Sequence, residues 1–199
     1  MLKILPLQQM EKLKPLSELF TEDSIFSQMM RLAAEEGEPT YSLEQHYQRY
    51  AMLKSPRGAP EEIVSGFVTA QHLAIYSWFV YPFSSAAELQ ALATLEHALR
   101  RRMSNNRARG LKERLDHAVA VGWVRGNNLR KLHPYVLPIT DTEFAQRPID
   151  PDGVATLAVF IDNLLPEQRN WLAHGNWVGG GDVFILLDTV LQLIDQLYP

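Results

Sequence analysis

From residue 154 onward the apolar positions keep a helical rhythm. Val154, Leu157, Ala158, Ile161, Leu164 and Leu165 stand at offsets 0, 3, 4, 7, 10 and 11, which lays them along one side of an α-helix. Pro166 can open a new turn after them, because its missing N–H costs little at the first helical position. Upstream, Ile63, Val64, Phe67, Val68, Leu73 and Trp78 mark a helix of about five turns over 61–80, closed by "YPF". Ser85 and Glu88 have the spacing of a capping box and predict a helix from there to about Met103. Ser42 and Gln45 have the same spacing at the head of "SLEQHYQRYAML". "LKERLDHAVAVGWV" predicts a further helix, "NNLRKLHPYV" a short helix or turn, and Asp182 can cap a final helix to about Leu197.

The remaining segments are breaks. Pro6, Pro15 and Pro39 interrupt the first 40 residues, leaving room for short helices around 7–13 and 22–35. Residues 137–152 hold three prolines and read as a loop, as does "GNWVGGGD". No alternating strand pattern, internal repeat or low-complexity tract is present. The pattern therefore predicts an all-α helical bundle over 59–199, with an irregular, partly helical N-terminal extension over 1–58 that packs into one compact unit with it.

Composition narrows this further. The 199 residues suffice for one domain with a substantial core, and 46% hydrophobic with 21% charged residues is ordinary for a globular chain. A net charge of −4 gives no overall field favouring nucleic acid, so any such contact must be local. The absence of cysteine excludes disulfides, thiolate metal sites and a cysteine nucleophile. "MLKILPLQQMEKLKPL" lacks the continuous apolar run of a signal peptide, and "VFILLDTVLQLI" is too short and too acidic to span a bilayer. A cytoplasmic protein without a membrane partner is expected.

Two places break the apolar pattern with charge. Glu96 lies within about 20° of Leu89, and as close to Met103, on the helical wheel that also carries Leu92 and Leu99. A carboxylate aimed along an apolar stripe requires a cationic partner, a wet cavity, or an edge position reaching water. Arg100 at i+4 is one candidate partner; Arg169 or His174 from another helix is the other. The second place is "RNWLAHGN", residues 169–176. Asn170 and His174 are i,i+4 on a regular helix, while Arg169 and His174 diverge by about 140°. Arg169 would also sit in the first turn after Pro166, where the dipole favours an anion. Spacing alone favours a structural pairing of Arg169 with an acid and a capped core role for His174.

The "RNWLAHGN" stretch resembles the signature of the HEPN superfamily, the higher eukaryotes and prokaryotes nucleotide-binding domains: an Arg, four to six residues, then a His, often as Arg-Asn and His-Gly. "LEHALRRRM" after "YPF", and the apolar C-terminal helix, resemble the family's context, over roughly residues 60–197. The resemblance implies a HEPN-like helical bundle and a metal-independent endoribonuclease, of the kind found in toxin, phage-defence and RNA-processing systems. It implies RNA as substrate, a homodimer with a composite active site, and a cognate antitoxin or regulator in toxin-type members. His174 would be the acid/base group, Arg169 the phosphate clamp, Asn170 the motif's polar neighbour and Glu96 the family's helix carboxylate. Other members are non-catalytic RNA-, nucleotide- or protein-binding modules. Residues before about 60 lie outside the resemblance.

The chemistry needs no cofactor and no metal. Ribose supplies its own 2′-OH nucleophile, an imidazole with an ordinary pKa of about 6.5 can take its proton, and a guanidinium can hold two phosphate oxygens. "RRRMSNNRARGLKER", residues 100–114, sets seven basic residues against Glu113. Arg100, Arg101, Arg102, Arg107 and Arg109 are the candidates for tracking an RNA backbone, or else the solvated corner between two helices. His46, His72, His97, His117 and His133 show no metal-ligand spacing, and His72, in an apolar helix, is expected to be a core residue.

Overall fold

The computed structural model describes residues 13–35, 41–103, 110–125, 169–170, 172–173 and 183–199. Among these, all regular structure is helical: a short 3-10 turn, Leu16–Glu18, and α1 (Ser24–Glu35), α2 (Leu43–Ala51), α3 (Glu61–Tyr76), α4 (Phe83–Arg102), α5 (Gly110–Ala120) and α6 (Val183–Leu197). Residues 169–170 and 172–173 also have helical backbone. The proposed helices at 7–13 and 154–165 and the loop at 137–152 lie outside or almost wholly outside the described residues. None of the described helices is long and apolar enough to cross a membrane.

The centre of the molecule is α4, which packs against α3, α5 and α6, while α2 and α6 also pack on α3. Its small residues let neighbours approach: Ala87, Ala91 and Ala98 are fully buried, with Leu92, Leu95 and Leu99 filling the space between the helices. At Gly66 of α3 the approach is close, since a methyl group added there would stand 2.7 Å from the Thr94 hydroxyl oxygen of α4. The α6 helix is apolar around most of its girth, and Leu187, Val190, Leu193, Ile194 and Leu197 are sealed in the core. Its polar C-terminal end ties in two loops: Asp195 accepts a hydrogen bond from the Arg57 N–H and Gln196 one from the Arg125 N–H. Tyr50 and Leu53, from the segment assigned to the N-terminal extension, belong to this same core cluster. Gln71 of α3 donates to both of their carbonyls.

Helix ends show where local signals were sufficient. Ser42 and Gln45 form the reciprocal capping box expected for α2, with bonds of 3.2 and 2.8 Å. The expected Ser85–Glu88 box does not form. Instead α4 begins at Phe83, after Pro82, with no side-chain cap, which places Ser85 inside the helix and turns Glu88 into the core. Packing of the Trp78–Pro82 corner thus sets the start of α4 in place of the cap. Likewise α3 stops at Tyr76, where the Ser77 hydroxyl bonds the Ala74 carbonyl, so Trp78 sits in the turn. At the end of α5, Gly122 takes φ +76, its N–H reaching the Val119 carbonyl and the Trp123 N–H that of Ala118. This is a Schellman closure, and it brings Trp123 back against the helix.

A polar clasp and a ring cluster fasten α1. Buried Asp23 accepts from the Ile25 N–H at the head of α1 and from the Tyr81 N–H before α4, while its own N–H donates to the Trp78 carbonyl. Trp78 stacks on Phe26, and both rings contact His46. His46 is buried, with Nε2 3.0 Å from the Ala74 carbonyl. Burial holds its pKa below the ordinary value, aided by the Arg49 charge and opposed by hydrogen bonds to the Ala74 and Ile75 backbone. The core histidine expected at His72 is therefore at His46: His72 is exposed on α3, because the apolar face there is carried by Ile63, Phe67, Ala70 and Ala74.

Two outcomes follow from this packing. Gly66→Ala pushes α3 off Thr94 and lowers unfolding free energy by about 1–3 kcal/mol in urea, as overpacking does; an unchanged midpoint would contradict the close approach. His46 is depressed in the folded state, so the unfolded chain binds a proton that the native protein excludes. Stability is thus fully present above about pH 6.5 and declines as pH falls below it. The drop in melting temperature between pH 7.5 and pH 5 should be smaller in His46→Phe than in the wild type, and equal drops would remove His46 as the cause.

Candidate functional site

Glu96 stands at the rim of α4, its side chain 20% exposed, and two guanidiniums face it. Oε2 lies 3.3 Å from Nη2 of Arg169 and Oε1 lies 4.0 Å from Nε of Arg114 on α5. Of the partners considered for this carboxylate, Arg169 supplies the contact, across 73 residues of sequence; Arg100 is exposed. Both pictures of Glu96 hold in part: it is paired, and it reaches the surface.

Arg169 is placed by its neighbour Leu172. Leu172 is buried in the core cluster, and three residues along a helix leave Arg169 only about 60° away, on the side turned toward α4. Asn170 and Ala173 are exposed. Asn170 therefore faces solvent, beside the Arg169–Glu96 pair in sequence but on another side of the turn. His174, the proposed acid/base group, lies outside the described residues.

Arg114 lies within the basic stretch 100–114 and is not among the residues that the sequence pattern marks as candidates. A usable signal was present. Leu111, Leu115 and Ala118 of α5 are buried, and Arg114 falls within about 40° of Ala118 on the helical wheel. It interrupts an apolar face with a positive charge, as Glu96 does with a negative one, and two such interruptions on packed helices call for each other. The Arg114 side chain is only 13% exposed. Its Nε is buried and has no hydrogen-bond partner among the described residues. An unmade bond at a buried donor costs about 1–3 kcal/mol.

The arginines proposed to track RNA take different positions. Arg100 is exposed. Arg101 pairs with Glu62 of α3 at 2.7 Å, with both side chains well exposed, so water screens that pair heavily. Arg102 lies over two rings, 5.1 Å from the centre of Trp123 and 5.8 Å from that of Tyr198, and Tyr198 in turn donates its hydroxyl to the Ala98 carbonyl. That stacking gives Arg102 a packing role at the end of α4. Arg107 and Arg109 lie outside the described residues. Lys112 pairs with Asp116 one turn along α5.

Chemically, the Glu96 cluster offers one carboxylate against two permanent cations. The Arg169 side chain is 39% exposed, so its guanidinium can meet an anion from solvent. Among the described residues, no three His, Asp or Glu side chains gather as metal ligands would. No protein-family model, curated protein or solved structure matches this chain.

Proposed function

We propose that the chain is a HEPN-type helical bundle acting as a metal-independent endoribonuclease. The observation carrying this reading is the 3.3 Å contact between Glu96 and Arg169, which joins the helix carboxylate to the motif arginine. An arginine at a partly exposed site, aimed by a carboxylate, is suited to hold a phosphodiester and to stabilise the charge that grows on it.

In this mechanism Arg169 binds the non-bridging phosphate oxygens. The ribose 2′-OH attacks phosphorus as the His174 imidazole takes its proton. The P–O5′ bond breaks and the departing 5′-oxygen takes a proton, leaving a 2′,3′-cyclic phosphate and a 5′-OH. One imidazole cannot easily serve both oxygens, so the same histidine of a second protomer supplies the leaving-group proton. Arg100 and Arg101, with Arg107 and Arg109, provide local positive charge in a net acidic protein. A toxin or phage-defence role, with a cognate antitoxin or regulator, fits an RNA-cleaving activity that must be restrained.

A second reading is favoured by the same contact. Because Glu96 already neutralises Arg169, the pair can serve a non-catalytic module that binds RNA, a nucleotide or another protein. Mutation separates the two. His174→Ala should lower cleavage of single-stranded RNA by about a hundred-fold or more, with the circular dichroism spectrum and dimer mass unchanged, and EDTA should leave wild-type cleavage intact. RNA binding by a wild-type protein that cleaves no RNA would establish the binding module instead. Full activity in a strictly monomeric protein would overturn the shared site.

A further inference from the structure

We infer that Arg114 is a positioning residue of this site, sharing Glu96 with Arg169 and taking over that carboxylate when a phosphate draws Arg169 away. The inference rests on the reading of Arg169 as the phosphate-holding cation. Three features of the cluster lead to it.

First, the two guanidiniums address different oxygens of Glu96, Arg169 at Oε2 and Arg114 at Oε1, so neither displaces the other. Second, the groups are graded in depth. Arg169 is 39% exposed, Glu96 20% and Arg114 13%, so a ligand from solvent reaches Arg169 first and Arg114 last. Third, the contacts are unequal. Arg169 approaches Glu96 to 3.3 Å, while the Arg114 Nε–H stops at 4.0 Å and, among the described residues, bonds nothing. The inner cation thus holds a donor in reserve, about 1 Å short of a usual N–H···O separation.

Those features define an exchange. A phosphodiester competes with Glu96 for Arg169, and if Arg169 left alone it would strand a largely buried carboxylate. With Arg114 present, a small side-chain movement closes the longer gap and keeps the carboxylate paired. Arg169 is then released to the phosphate at low cost. Without Arg114, Glu96 has Arg169 as its remaining cation in the cluster and holds it more tightly. No bond is made or broken and no proton moves; only ion-pair partners change.

The test uses the full-length protein with Arg114→Gln, Glu96→Gln and the double variant. Arg169 reactivity is followed without RNA, as the rate at which phenylglyoxal modifies the Arg169 peptide in a mass spectrum. Arg114→Gln should slow this rate about three-fold, the scale of a partly exposed ion pair, and Glu96→Gln should raise it. Adding Arg114→Gln to Glu96→Gln should change nothing further. Affinity for a 2′-O-methyl oligoribonucleotide, measured by fluorescence anisotropy, should follow the same pattern. Arg114→Lys keeps the cation and should restore near-wild-type Arg169 reactivity. Arg114→Met, which fills the same space, replaces the glutamine variant should that one unfold. An Arg169 rate equal in wild type and Arg114→Gln overturns the inference, as does an Arg114→Gln effect of the same size with or without Glu96. If the reactivity pattern holds but the wild type binds no oligonucleotide, charge sharing stands and the phosphate reading falls.

Discussion

The structure turns on one carboxylate placed where it cannot be left alone. Glu96 occupies the rim of α4, the helix that packs against α3, α5 and α6, and its charge is met from neighbouring elements. Two guanidiniums meet it, from α5 and from the turn at residue 169. α4, α5 and the segment at residue 169 are thereby joined by electrostatics at the surface, and Leu99, Leu115 and Leu172 of the same three segments belong to one core cluster. The chemistry proposed for the site depends on that anchoring, because Glu96 holds Arg169 in place at the surface until an anion claims it.

The fold serves this arrangement through α4. Alanines and the glycine at position 66 bring α3 in close, α6 packs against both α3 and α4, and the Schellman turn after α5 returns Trp123 over Arg102. Buried His46 and Asp23 bind α1 and α2 to the α3–α4 corner, away from the Glu96 cluster. The polar groups that fasten α1 and α2 are thus distinct from those of the candidate site.

Much of this was legible in the sequence. Apolar periodicity announced the all-α class, the Ser42–Gln45 box marked the start of α2, and a carboxylate in a leucine stripe marked Glu96 as a residue with either a partner or an edge reaching water. The failures have physical causes. Ser85 had a cap-like spacing, yet ring packing around Trp78 moved the start of α4 upstream, and local propensity yielded to tertiary contact. His72 lay in an apolar segment, but a helix also has an outer face, and periodicity alone misassigned that residue. Arg102 resembled its neighbours in a basic run until Trp123 and Tyr198, from other elements, gave it a packing role. Charge along the basic stretch does not distinguish Arg114 from its neighbours, whereas its position on the wheel of α5 does.

The most direct measurement of the central contact is a double-mutant cycle in urea unfolding, using Glu96→Gln, Arg169→Gln and the two combined. With Arg169 partly exposed, screening limits the coupling, and a value of about 0.5–1 kcal/mol in favour of the charged pair is expected. A coupling indistinguishable from zero, with every variant folded, would mean that Glu96 does not hold Arg169 and that the site has no fixed cation.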